Sequence, residues 1–250
     1  MALKFPASLL PLSYGIITMT SFILTLVLAY YLHFERVTKT HCKLYEFLPS
    51  ISSTIGDFSP EMNIYRYGMA LTSGLRLATI YLNHHVALDD RAALLNLNNA
   101  NSGAVAESMR KLAFLIPVST VLDTLRVFAA GGWIYISSSE ALFPHQVGFV
   151  SYVIFSFAFI SSTDITLTAT GHSLNSSPAA TAPRHKRICS PSSGSVYSYF
   201  VDHTFYCVYL SYSKYSIFEW LLAFTNVGYD TLTYLEFEGL YFTLHKEKSF

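Results

Sequence analysis

Charged residues are scarce in this chain. Only 13% of its 250 residues are Asp, Glu, Lys or Arg, against about a quarter in soluble domains. The 16 basic and 16 acidic residues cancel to a net charge of zero. There is no basic excess to attract nucleic acid, and neither a basic arm nor an acidic tail, so nucleic acid is not an expected partner. Only three cysteines occur, Cys42, Cys189 and Cys207. No GxSxG, HExxH or Walker loop is found, and no internal repeat. No metal set or cofactor fingerprint is expected.

What is present is apolar. Hydrophobic residues make up 52% of the chain and aromatics 16%, with a mean hydropathy of +0.36, which predicts an all-α polytopic membrane protein. The clearest span is 14–32, with 19 residues and no charge. At 1.5 Å per residue it covers about 28 Å, close to the thickness of a hydrocarbon core. It is too long for a signal-peptide core, and His33 to Arg36 follow it, so it reads as a retained signal anchor. Further spans are expected at 63–82 (with Arg66 and Arg76), 112–136 (with Asp123 and Arg126 at i,i+3), 146–167 and 215–235 (with Glu219 and Asp230). A weak fifth span, 195–210, is interrupted by Asp202 and His203. The Ser-, Ala- and Pro-rich stretch 170–194, with its basic "RHKR", reads as a cytosolic linker.

Six spans with both termini in the cytosol place nine Lys and Arg on the cytosolic side and four on the outer side, as the positive-inside rule favours. The sequon at Asn175 then faces the cytosol. Cys42 and Cys207 fall together on the oxidising outer side, so a bridge between them is the expectation, with two free thiols as the alternative. Cys189 stands alone on the inner side.

Ionisable groups at membrane depth are costly and face protein or water. Asn226 and Asp230 each lie within about 20° of Glu219 on a helical wheel, forming one polar stripe on the last span. Matching depths pair Arg66 with Glu219 and Arg76 with Asp230. Two readings stay open. These are packing ion pairs, or they line a polar cavity that holds an anionic lipid headgroup phosphate, which arginine suits. Acid–base candidates are His41, His145 and His203 in the outer segments. His84 and His85 are placed at the inner end of the second span. A lone histidine beside a membrane is more often structural.

The run "THCKLYEFLPSISSTIG" at 40–56, then Pro60, Arg66, "LTSGLR" ending at Arg76 and "NHH" at 83–85, together resemble the FGF-receptor-activating-protein/DRAM/Sfk membrane family. They also resemble the amino-terminal region of GPI ceramide remodelases. "YISSSE" at 135–140 with His145, then Tyr199, Phe200, His203, Tyr206 and Cys207, and finally Glu219, "TN" at 225–226 and Phe237, continue the match in order. The chain departs from the family at Thr72 and Leu75, where histidine and proline are usual, and at Asp230, where histidine is usual. The closest resemblance is to the family's GPI branch. It implies a GPI-anchor lipid-remodelling factor of the Golgi membrane, or of the endoplasmic reticulum, needed for fatty-acid reacylation of lyso-GPI and for surface retention of GPI-anchored proteins. The implied partners are membrane lipids, GPI-anchored proteins and other GPI-remodelling proteins. The resemblance leaves open whether such a chain is the lyso-GPI acyltransferase or its accessory. The alternative is a non-enzymatic regulator of autophagy or membrane lipid distribution.

Overall fold

The computed structural model describes residues 2–40, 45–100, 104–173 and 210–245. Five long helices dominate these residues: α1 (Leu9–Val37), α3 (Glu61–Ala100), α4 (Ala104–Tyr135), α5 (Leu142–Ser173) and α6 (Ser211–Thr231). A short helix, α2 (Ile51–Gly56), sits between α1 and α3, and a 3-10 turn at Leu232–Leu235 follows α6. Among the described residues, three helices are long and apolar enough to cross a bilayer, at Leu9–Val37, Ala113–Tyr135 and Leu142–Thr166, and they mark the chain as a multi-pass membrane protein.

The distribution of side chains is that of a lipid-solvated bundle. Large apolar groups such as Ile16, Ile23, Val121, Phe128, Ile154 and Phe157 face outward, whereas Arg76, Asp123, Arg126, Glu219, Asn226 and Asp230 are buried. Hydrocarbon cannot satisfy a polar group, so polar groups turn inward. Hydroxyls inside the bundle bond to the carbonyl one turn back. Ser21 bonds to Ile17 (2.8 Å), Thr25 to Ser21 (2.6 Å), Thr79 to Leu75 (2.8 Å) and Thr166 to Ser162 (2.9 Å). Those local bonds explain how so many Ser and Thr tolerate an apolar setting.

Helix α1 packs on α3, α3 on α4, and α4 on α5, with α6 against α1. The α4–α5 crossing is made by glycines. A Cβ on Gly148 would sit 2.8 Å from the Gly132 carbonyl carbon, and one on Gly132 would sit 3.0 Å from the Gly148 Cα. Small residues at such a crossing let two backbones touch. The apolar centre gathers Phe22, Tyr65, Met69, Trp133, Trp220 and Val227, with Ile51 and Ile55 of α2 closing it from above. Phe22 packs edge-on to both Trp220 and Phe224.

Several expectations change. The chain is mostly but not wholly helical. Strand β1 (Ala2–Pro6) pairs antiparallel with β2 (Tyr241–His245), in the register Lys4↔Thr243 and Phe5↔Phe242. Residues flanking the spans had no apolar periodicity to read, and the strands form only because the bundle brings both ends together. The helices also outrun the predicted spans. α3 has 40 residues, about 60 Å by the helical rise and twice a hydrocarbon core. His84 and His85 therefore lie inside α3 rather than at its end, and His84 Nδ1 is 3.3 Å from Thr120 Oγ1 of α4. α5 continues to Ser173, into the expected linker. The rest of that linker and all but the last residue of the weak 195–210 span lie outside the described residues.

Candidate functional site

The loop after α1 is seated on the first half of α6. Glu46 is buried, and its Oε2 accepts the Ser213 amide at 3.1 Å. Ser213 Oγ in turn accepts the amides of Phe47 (3.1 Å) and Leu48 (3.3 Å). The Tyr212 hydroxyl reaches Ser50 Oγ at 2.9 Å and Ser53 Oγ at 3.1 Å, and Trp220 Nε1 donates to the Pro49 carbonyl at 3.0 Å. Ser50 caps α2 by accepting the Ser53 amide at 3.1 Å, a standard N-cap role for serine. Glu219 Oε2 receives the Ile51 amide at 3.0 Å. α2 is too short to hold its own shape, so its orientation comes from these bonds.

The first turn of α5 meets α2 from the other side. His145 is buried, with Nδ1 2.7 Å from the Ile136 carbonyl and Nε2 2.9 Å from Ser52 Oγ. Next to this, Ser137 and Ser139 both donate to Asp57.

Deeper in the bundle, four charges form one cluster. Arg126 Nη2 lies 2.7 Å from Asp123 Oδ1 and 2.6 Å from Asp230 Oδ1. Arg76 Nη2 contacts the same Asp123 oxygen, and Asp230 Oδ1 at 3.2 Å. All four side chains are at most 7% exposed. The Arg126 guanidinium also lies 4.7 Å from the centre of the Phe159 ring, within cation–π range. Three helices that are distant in sequence thus share two guanidiniums and two carboxylates.

Beside the cluster lies a cavity of about 110 Å³, lined among others by Tyr14, Thr18, Tyr65, Arg126, Trp133 and Asp230. Four buried polar atoms of its lining have no hydrogen-bond partner among the described residues: Thr18 Oγ1, Tyr65 Oη, Arg126 Nη1 and Trp133 Nε1. Buried donors without partners are uncommon and expensive. All four can donate, and the arginine and indole nitrogens can only donate. The cavity therefore matches a group rich in acceptor oxygens.

The predicted residues sort as follows. Arg76 and Asp230 meet in the cluster. The expected Arg66–Glu219 pair is not formed. Arg66 lies 3.8 Å from the exposed Glu140 at the loop end, and Glu219 is taken by the Ile51 amide, because α2 sits over that end of the bundle. Asn226 is buried on the same stripe and donates to the Leu222 carbonyl at 2.9 Å. His145 is in place between α2 and α5. His41, Cys42, His203 and Cys207 lie outside the described residues, and with them the expected disulfide. The sequence reading did not place Ser52, Glu46, Thr18, Tyr65 or Trp133 in a site. Asp123 and Arg126 carried a visible signal, two opposite charges one turn apart inside a span, but not the identity of their partners.

Known proteins resemble this chain in sequence. The chain is 25% identical over 251 residues to Protein cwh43 of Schizosaccharomyces pombe, covering all of this chain and 23% of that protein. It is 28% identical over 209 residues to Post-GPI attachment to proteins factor 2-like of Drosophila melanogaster, covering 80% of this chain and 60% of that one. It is 24% identical over 226 residues to Acyltransferase PGAP2 of Xenopus tropicalis, covering 87% and 82%. The chain thus spans about a quarter of the first relative and three fifths of the second. No solved structure matches it. The profile of one family covers residues 6–240, nearly the whole chain, and the chain belongs to that family, the Frag1/DRAM/Sfk1/Cwh43P N-terminal domain.

Proposed function

We propose that this chain is a GPI-anchor lipid-remodelling protein, needed for fatty-acid reacylation of lyso-GPI and so for surface retention of GPI-anchored proteins. Relatives named for post-GPI attachment and as an acyltransferase support the reading. The observation that carries it is the cavity, in which four unpartnered buried donors surround a space inside an apolar bundle. Lipid headgroups carry the required acceptors, as phosphate and ester oxygens, on a molecule that reaches the site from the bilayer. Arg76 and Asp230 then act as the polar framework of that site, with Arg126 presenting its free Nη1 to the headgroup.

The reading extends to topology. The start of α6 lies with residues 46–53 at the loop end, whereas α5 leaves toward the ribbon end, where Phe159 meets Tyr229. An odd number of crossings between them accounts for this, in keeping with a span at 195–210, six spans in all and cytosolic termini. The loop end then faces the lumen of the Golgi or endoplasmic reticulum, the side of GPI anchors, where a Cys42–Cys207 bridge belongs to the same proposal.

Complementation tests the function. In cells lacking the remodelling factor, this chain is expected to restore surface GPI-anchored protein, measured by flow cytometry. Golgi-localised expression without restoration overturns it.

A further inference from the structure

We propose that Ser52 and His145 form a nucleophile–base dyad that carries a fatty acyl group as a Ser52 ester on its way between two lipids. The proposal rests on the acyl-transfer reading above and names the residues that perform it. A carbonyl oxygen only accepts, so the 2.7 Å contact of His145 Nδ1 with the Ile136 carbonyl fixes the ring proton on Nδ1. The neutral ring then turns a lone pair at Nε2 toward Ser52 Oγ, 2.9 Å away, and the serine hydroxyl donates to it. Nucleophile, base and a third group orienting the base are the parts of an activated serine.

The surroundings favour chemistry over simple packing. His145 is 6% exposed, while Ser52 is only half-buried and so can be reached. Tyr212 and Glu219 of α6 hold α2 and its cap, and Ser213 and Trp220 hold the loop just before it, which fixes Ser52 opposite the ring. The residues just before His145, Phe143 and Pro144, begin an apolar groove of about 470 Å³ between α4 and α5, continued by Val147, Phe128 and Phe155. Such a groove opens to lipid and suits an acyl chain.

The reaction balances without an oxidant or cofactor. Ser52 Oγ adds to the acyl carbonyl of a donor, either a fatty acyl thioester or a phospholipid ester, and its proton passes to His145 Nε2. The bond from the carbonyl carbon to the donor's sulfur or oxygen breaks, and the leaving thiol or alcohol takes the proton from Nε2. A lysolipid hydroxyl then adds to the Ser52 ester, giving its proton to Nε2. The bond to Ser52 Oγ breaks, and Ser52 recovers the proton.

The test uses the purified full chain in detergent, in two arms, one with alkyne-tagged stearoyl-CoA and one with alkyne-tagged phosphatidylcholine. A hydroxylamine-labile adduct on the Ser52 peptide is expected by mass spectrometry in one arm, which identifies the donor. Ser52→Ala should abolish it, Ser52→Cys should convert it to a thioester, and His145→Ala should slow its formation by about 100-fold or more. An alkyl fluorophosphonate traps the serine should the ester turn over too fast to accumulate. Unchanged gel-filtration profiles of the variants separate chemistry from misfolding. The proposal fails if Ser52→Ala restores GPI-anchored protein as well as wild type, or if wild type restores it with neither adduct nor fluorophosphonate label on Ser52. A Ser52 adduct on a chain that does not restore GPI-anchored protein keeps the dyad and removes the GPI reading alone.

Discussion

Arg126 is the residue on which the deep cluster depends most. Its guanidinium joins Asp123 one turn before it on α4 to Asp230 on α6, and truncation leaves two buried carboxylates sharing Arg76 alone. Arg126→Leu is therefore expected to cost about 3–5 kcal/mol, the usual penalty for removing one partner from a buried ion pair. Denaturant or thermal unfolding of the detergent-solubilised protein measures it, and a loss near zero would mean that water or lipid solvates the carboxylates. Individual residues were unevenly legible. Arg76 and Asp230 announced themselves as charges in an apolar run, and depth matching paired them. The same rule failed for Arg66 and Glu219, because depth ignores what lies between. Here α2 supplied a backbone amide that a list of side chains cannot contain. Ser52 was one hydroxyl among several in a Ser- and Thr-rich loop. Its partner His145 lies 93 residues away, a separation no local motif spans.

At the scale of elements, the α4–α5 pair turns on a single close approach. A side chain at Gly148 meets the Gly132 backbone, which cannot swing aside as a rotamer can. Gly148→Leu is expected to separate the helices and destabilise the bundle by about 1–3 kcal/mol, the range for forcing extra atoms into a packed contact. Gly131→Ala is the matched control, since its Cβ would meet nothing nearer than 4.0 Å. Equal melting temperatures for the two variants would refute the crossing. The spans of α1, α4 and α5 were readable because long apolar runs have few other uses. α3 and α6 were found despite their charges. Their true lengths were not readable, since a helix leaving the membrane loses its apolar period while keeping its backbone bonds. α2 was invisible for the opposite reason, its helicity being imposed by α6.

The whole molecule closes on itself. Pairing of β1 with β2 brings the two ends of the described chain side by side, with exposed Lys4 opposite exposed Thr243. In membranes treated with a mild oxidant, the double variant Lys4→Cys with Thr243→Cys is expected to form a disulfide. It would be seen as a reduction-sensitive, faster-migrating band, with neither single variant showing it. Failure to crosslink would leave the ends unpaired. This ribbon was hidden from the sequence because neither strand has a pattern of its own, and each exists only through its partner across the chain. The deep cluster also bears on how the protein meets its environment. A unit charge moved across a membrane does work of about 2.3 kcal/mol per 100 mV. Two guanidiniums and two carboxylates bound to one another sum to zero, so a transmembrane voltage has no net charge there to push. The centre of the bundle is electrically silent, and the same fold can sit in organelles of very different membrane potential without its polar core being drawn toward either face.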